Sequence, residues 1–222
     1  MMPGVTVSRR AWIRQLLNHS SGIPSDFAFS EAPLVRAKRI AAQGCCLFPP
    51  GTSSAYSNSD FVLLGLIVEK VTGRPLDQVV TNRIIRRLHL RGTSYGTERA
   101  QRMTPWLGPV ESFGRPVSGD GGIISTVEDV ATFFRALLGG NLLAPKQLAE
   151  MTRTIATDRP DLRYGLGIWR YRLPCGFAWG HGGLASYQVD VEVARDGSKA
   201  VVWAANNAGA SDWSFGDRLY CA

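Results

Sequence analysis

The sequence predicts an α+β fold, a helical lobe followed by an antiparallel sheet lobe. Three observations carry that prediction. Apolar residues recur at helical spacing between capping residues over residues 11–155. From Arg163 onward the pattern changes to short runs rich in aromatic and β-branched residues, separated by Gly, Pro and Asp-Gly. At 222 residues and 45% apolar, the chain is long enough to bury the core of one domain. Residues 1–222 therefore read as a single domain, with residues 11–155 mainly helical and residues 163–222 forming the sheet lobe and a C-terminal tail.

Each element has its own local signal. Trp12, Ile13, Leu16 and Leu17 share one face of a first short helix, which Gly22 and Pro24 bring to an end in "NHSSGIP". "EAPLVRAKRIAAQG" predicts a second helix. Ser59 is placed to cap a third over residues 60–72, closed by Gly73. Pro75 opens a fourth, with Leu76, Val79, Val80, Ile84 and Leu88 on its inner side. Residues 91–122 are polar and punctuated by Gly and Pro, as a connection. Ser125-Thr126-Val127-Glu128 reads as a capping box before "VATFFRALL", which stops at Gly139-Gly140, and Pro145 starts a short helix through about Ile155. In the second lobe "YGLGIWRYRL", "GFAWGHGG", "YQVDVEVARD" and "KAVVWAANN" read as strands, with Asp196-Gly197 as a hairpin turn. The tail "WSFGDRLYCA" predicts a short helix packed on the sheet.

Several function classes are disfavoured. The net charge of +7 rests on scattered arginines, with only four lysines among 25 basic residues, and no aromatic-interleaved basic block. That pattern predicts solvated surface charge and no nucleic-acid partner. The longest apolar run, residues 61–68, is too short to cross a bilayer, so no transmembrane segment is expected. The start "MMPGVTVSRRAWIR" lacks the apolar stretch of a signal peptide. Three separated histidines and four cysteines without a C-x-x-C predict neither a metal centre nor a cofactor. Cys175 and Cys221 form a candidate disulfide; the competing reading is that Cys45, Cys46, Cys175 and Cys221 are buried free thiols.

Two short constellations carry chemistry. Tyr56-Ser57-Asn58 stands at the mouth of the third helix, and His181-Gly182-Gly183 stands in the sheet lobe. Acyl transfer needs a nucleophile, a base, oxyanion donors and an anchor for the substrate amide. A tyrosine hydroxyl shuttles a proton when neighbouring cations lower its pKa from about 10. An asparagine amide donates to a substrate carbonyl. Gly182 and Gly183, having no Cβ, let a substrate backbone approach a strand edge. His181 is expected to supply positive character behind that edge, and a backbone N–H near Leu184 to face an oxyanion.

Together with "RQLLNHSSGIPSD", "FPPGTSSAYSNSDFVLLGLIVEKVTGRPLDQVVTNRII", "GDGGIISTVEDVATFF" and "YGLGIWRYRLPCGFAWGHGG", these motifs resemble the serine β-lactamase-related family, nearest its D-alanyl-D-alanine carboxypeptidases. The resemblance implies a β-lactamase/DD-peptidase-like fold whose three motifs, Ser-x-x-Lys, Tyr-x-Asn and His-x-Gly, meet between the lobes. Tyr56 and Asn58 match the second motif, and His181 and Gly183 the third. It also implies acyl-enzyme hydrolysis of a peptide of D-Ala-D-Ala type, a β-lactam or an ester, an extracellular or periplasmic location, and a disulfide at Cys175–Cys221. Three departures stand out. Ser186 precedes Tyr187 where a glycine is usual, and Arg87 and His89 stand where Pro and Gly are common.

The third departure is the largest. Three residues before Lys38, Lys70, Lys146 and Lys199 stand Val35, Ile67, Leu143 and Asp196, so no Ser-x-x-Lys exists in the chain. The family's nucleophile helix and N-terminal strands have no counterpart here. The expectation is a chain that is inactive and poorly folded by itself, explained by a truncated gene or gene model. The alternative is a non-catalytic ligand-binding pseudoenzyme, or one part of a split enzyme.

Overall fold

The computed structural model describes residues 11–44, 46–95, 117–184, 188–206 and 214–222. The chain begins with α1 (Ile13–Leu17), α2 (Pro33–Ala42), α3 (Asn58–Thr72) and α4 (Leu76–Val80), the last running into a wider turn over Thr81–Ile85. A two-stranded ribbon follows, pairing β1 (Ser94–Tyr95) with β2 (Ile123–Ile124), and then α5 (Val127–Leu138) and α6 (Pro145–Met151). The sheet lobe holds β3 (Ile155–Ala156), β4 (Leu162–Tyr164), β5 (Trp169–Leu173), β6 (Gly176–Gly180), β7 (Gly183–Leu184), β8 (Gln188–Val193) and β9 (Ala200–Ala205), closed by α7 (Ser214–Cys221). All pairings are antiparallel, in the order β3-β4-β5-β6-β8-β7, with β9 on the far side of β8. The α+β architecture is the one the sequence predicts.

Local details differ from the predicted ones for identifiable reasons. The third helix is capped from Ser57, because the Ser59 hydroxyl instead donates to the Pro24 carbonyl at 2.6 Å. The cap of α5 is Thr126, whose hydroxyl accepts from the Asp129 amide at 3.2 Å, while Ser125 pairs with Thr93 at 2.7 Å. The helix from Pro145 ends at Met151, and Ile155 enters β3, an edge pairing that local helical spacing does not reveal. The run 164–173 is split into β4 and β5 by a turn in which Gly165 and Ile168 exchange backbone contact at 2.7 Å and Gly167 has φ 77°. His89, standing where the family commonly has glycine, adopts φ 55°. The hairpin at Gly197 forms as expected, with φ 75° there. Cys175 and Cys221 are joined by a disulfide, tying α7 to the β5–β6 turn, and Cys46 is disulfide-bonded too, which overturns the free-thiol reading. Cys45, Ser186 and Tyr187 lie outside the described residues.

Each lobe has its own core. Leu16, Ile23, Ala37, Ile40 and Leu63 pack α1, α2 and α3 together. Leu138, Leu148, Ile168, Trp179, Val191 and Val193 pack α5 and α6 against one face of the sheet. The segment leading into β2 is pinned to the helical lobe at two points. Gly119 lies backbone-to-backbone on α3, so that a Cβ there would overlap the Phe61 carbonyl. Asp120 next to it takes two bonds from Arg36 on α2, at 3.0 and 2.8 Å. Arg36 is 1% exposed and also binds Asp26 at 3.1 Å, while Arg39 bridges Asp26 and Glu31. Removing one member of such a buried network leaves its partners charged and unpaired. Arg36→Ala is expected to lower unfolding stability by about 3–5 kcal/mol, measured by denaturant titration.

The opposite face of the sheet is polar. Gln188, Asp190 and Glu192 alternate along β8 and are all buried, with α7 packed over them. Gly216 of α7 sits against the Glu192 carboxyl, where a Cβ would come within 2.6 Å of it, and one Glu192 oxygen has no partner. Burial, with Asp190 and Asp217 nearby, pushes Glu192 up to about 8; burial likewise pushes Asp190 up to about 6. Both pKa values are higher folded than unfolded, so their contribution is full below the ordinary carboxyl range and is lost as pH rises toward 8. The melting temperature should therefore fall between pH 5 and pH 9. Glu192→Gln should remove most of that fall, because its amide carries no charge to bury.

Candidate active site

Tyr56 stands in the extended segment just before α3, next to His19 in the turn after α1. The Ala55 amide donates to the His19 carbonyl at 3.0 Å, and the Ser57 amide lies 3.3 Å from His19 Nδ1. Asn58 opens α3, its amide donating to Ser25 Oγ at 3.0 Å. In the same first turn the fully buried Asp60 holds His19 Nδ1 at 3.0 Å and the Ser21 hydroxyl at 2.5 Å. Burial raises the Asp60 carboxyl above its ordinary range, opposed by those two hydrogen bonds.

From the other lobe, β6 ends at Gly180 and β7 begins at Gly183, both in the same register on β8, so His181 and Gly182 form the unpaired link between them. His181 Nδ1 lies 2.7 Å from the Gly182 carbonyl, which makes it the donor, and Nε2 then accepts from the Tyr164 hydroxyl at 3.1 Å. That pattern describes a neutral imidazole. Burial pushes His181 down to about 4, with the Gly182 bond opposing. The positive character expected of His181 is thus absent at neutral pH, because the ring loses more solvation than the one carbonyl returns.

The two motifs meet through aromatic rings. Tyr56 lies 6.1 Å from His181 and 6.1 Å from Trp169, nearly parallel to the latter, and Trp169 lies 6.2 Å from His181. Tyr164, 1% exposed, touches His19, Trp169 and His181 at 4.7, 4.4 and 5.9 Å. Tyr56 is 48% exposed, at the open side of this cluster. Its hydroxyl pKa is raised by burial and by Asp120, not lowered by a cation. The expected proton shuttle therefore lacks its activating charge in this structure. Gly183 and Leu184 are exposed in β7, paired on one side with Val189 and Gln188 of β8. Among the described residues no cluster of His, Cys, Asp and Glu is arranged to hold a metal.

The sequence singles out Tyr56, Asn58, His181, Gly182, Gly183 and Leu184 as candidates but does not point to Tyr164, Trp169, His19 and Asp60, which pack around Tyr56 and His181. Tyr164 and Trp169 were legible only as strand aromatics; their pairing across the 165–168 turn is a matter of register. His19 carries a weak signal, a histidine ahead of two serines and Gly22. Asp60 resembled an ordinary acidic residue in a helix's first turn. Since His181 is neutral and half-buried, with its pKa pushed down to about 4, its C2–H resonance should not titrate between pH 5 and 8, as histidine NMR would show. A transition near 6.5 would contradict the assignment.

Comparison with known proteins places these features in context. The Beta-lactamase family matches residues 8–219. A D-stereospecific amidohydrolase from Streptomyces sp. superposes with a TM-score of 0.82 at 33% identity, covering 99% of this chain and 76% of that one. The D-amino acid amidase of Ochrobactrum anthropi SV3 shares the fold at a TM-score of 0.78 and 23% identity, over 93% of this chain and 71% of that one. A putative D-alanyl-D-alanine carboxypeptidase of Escherichia coli O157:H7 is 30% identical over 234 residues, covering 86% of this chain and 53% of that protein. The chain spans about half the length of the curated relatives it matches.

Proposed function

Because the chain belongs to the Beta-lactamase family, which supports a serine hydrolase of the β-lactamase/DD-peptidase type, we propose that it supplies the substrate-holding and proton-transfer part of a site for D-amino-acid amides or D-Ala-D-Ala-type peptides. The observation that carries this reading is the meeting of Tyr56 and His181, from opposite lobes, at 6.1 Å beside an exposed glycine-bearing strand edge. In the reaction a serine attacks the amide carbonyl and the amine leaves with a proton delivered through Tyr56. Asn58 and the edge at Gly182 and Gly183 hold the amide, a backbone N–H near Leu184 faces the oxyanion, and water releases the acyl group. The attacking serine and its lysine are not among these 222 residues, which contain no Ser-x-x-Lys. A location outside the cytoplasm is part of the proposal; the Cys175–Cys221 disulfide supports an oxidising compartment.

A second reading, a groove that binds without reacting, is favoured by the raised Tyr56 hydroxyl and the neutral His181. The two readings share one prediction for this chain. It should bind D-phenylalaninamide saturably and in preference to the L-enantiomer, as NMR titration would measure, and Tyr56→Phe should weaken that binding by about tenfold, the cost of one lost hydrogen bond. Incubation with labelled penicillin followed by intact-mass measurement should give no covalent adduct. A stable adduct on any serine would overturn the non-acylating account, and equal affinity for both enantiomers would overturn the assigned groove.

A further inference from the structure

We propose that His19, held by Asp60 and Ser21, is a positioning residue that sets the place of the Tyr56 hydroxyl in the groove, an inference that rests on the reading of Tyr56 given above. The argument starts from how completely His19 is fixed. It is 2% exposed and has φ 58°, a conformation that costs a side chain with a Cβ and persists only when its surroundings impose it.

What imposes it is a chain of four groups. The Ile23 amide donates to the Ser21 hydroxyl at 3.0 Å, and that hydroxyl donates to one oxygen of Asp60. The other Asp60 oxygen takes the hydrogen of His19 Nδ1. Both carboxylate oxygens are thus used, and the imidazole's tautomer and plane are decided at Nδ1. Nε2 has no hydrogen-bond partner, so nothing on the other side of the ring competes.

The fixed residue then acts on Tyr56 in two ways. Its carbonyl takes the Ala55 amide at 3.0 Å, and its ring face lies 4.3 Å from the Tyr56 ring at 48°. The backbone is held just before Tyr56, while the phenol leans on the imidazole; the Ser57 amide, 3.3 Å from Nδ1, finds no lone pair there because that nitrogen donates to Asp60. The contact of the same ring with Tyr164 at 4.7 Å continues the support to the residue that binds His181. An apolar side chain of similar volume would fill the space without fixing the segment, since it has no donor for Asp60. Asparagine would keep much of the fixing, because it tolerates positive φ and offers an amide N–H near the Nδ1 position.

The test uses the whole chain with ring-labelled tyrosine, the Tyr56 signal being identified by its loss in Tyr56→Phe. In His19→Leu the Tyr56 ring signals should move to those of a free tyrosine, while the signal of Tyr171, which lies on β5 and donates to Asp190, stays in place. His19→Asn should restore a dispersed Tyr56 signal. Binding of D-phenylalaninamide should weaken about tenfold in His19→Leu and recover in His19→Asn. An unmoved Tyr56 signal in a folded His19→Leu protein would overturn the proposal. If His19→Leu does not fold, Asp60→Asn, which keeps shape and removes the charge, should displace the Tyr56 signal alone. Loss of every dispersed signal in both variants would assign the cluster a purely structural role and also overturn it. The ring signals need no ligand. A native chain that binds neither enantiomer, yet shows the Tyr56 displacement, would refute the substrate reading and leave the positioning result standing.

Discussion

Asp60 is a carboxyl group with no exposed surface, placed in the first turn of α3 where the helix amides already favour negative charge. Among the described residues no arginine or lysine pairs with it; its two oxygens are satisfied by a serine hydroxyl and an imidazole. A buried carboxyl with fewer partners would be strongly destabilising, so the geometry around it has little freedom. The turn from His19 to Ile23, the start of α3 and the segment bearing Tyr56 are all fixed by the same group. The helical side of the site depends on this one constraint.

The sheet side is held to it by aromatic contact more than by charge. Tyr164 reaches His19 on one side and His181 on the other, so a single buried ring spans the junction of the lobes. A backbone bond reinforces the junction, from the Gly167 amide to the Leu17 carbonyl at 2.9 Å. The resulting groove is neutral. His181 is uncharged, Tyr56 keeps its proton, and Asp120 is paired with Arg36 of α2. On the proposed function, such a groove would take an amide or a peptide end through hydrogen bonds.

The fold was legible because its signals are local: the change of hydrophobic period after Arg163, the Asp196-Gly197 hairpin and the proline and glycine stops of the helices. The motif residues were legible because Tyr-x-Asn and His-x-Gly keep short fixed spacings. What sequence could not reveal are the long-range partners. Ser57 rather than Ser59 became the cap because Ser59 found Pro24 across the lobe. His181 was expected to be positive because sequence does not show burial. Asp60 and His19, 41 positions apart, look unremarkable until the fold sets them 3.0 Å from each other.

The central claim is that Tyr56 and His181 are neighbours in the chain as it stands, with no ligand and no further polypeptide. Nuclear Overhauser contacts from the Tyr56 ring protons to those of His19, Trp169 and His181 measure that directly. With centroids 4.3 to 6.1 Å apart, cross-peaks to all three are expected in the free protein. Cross-peaks to His19 alone, with none to Trp169 or His181, would show that the lobes do not close on each other and would contradict the account.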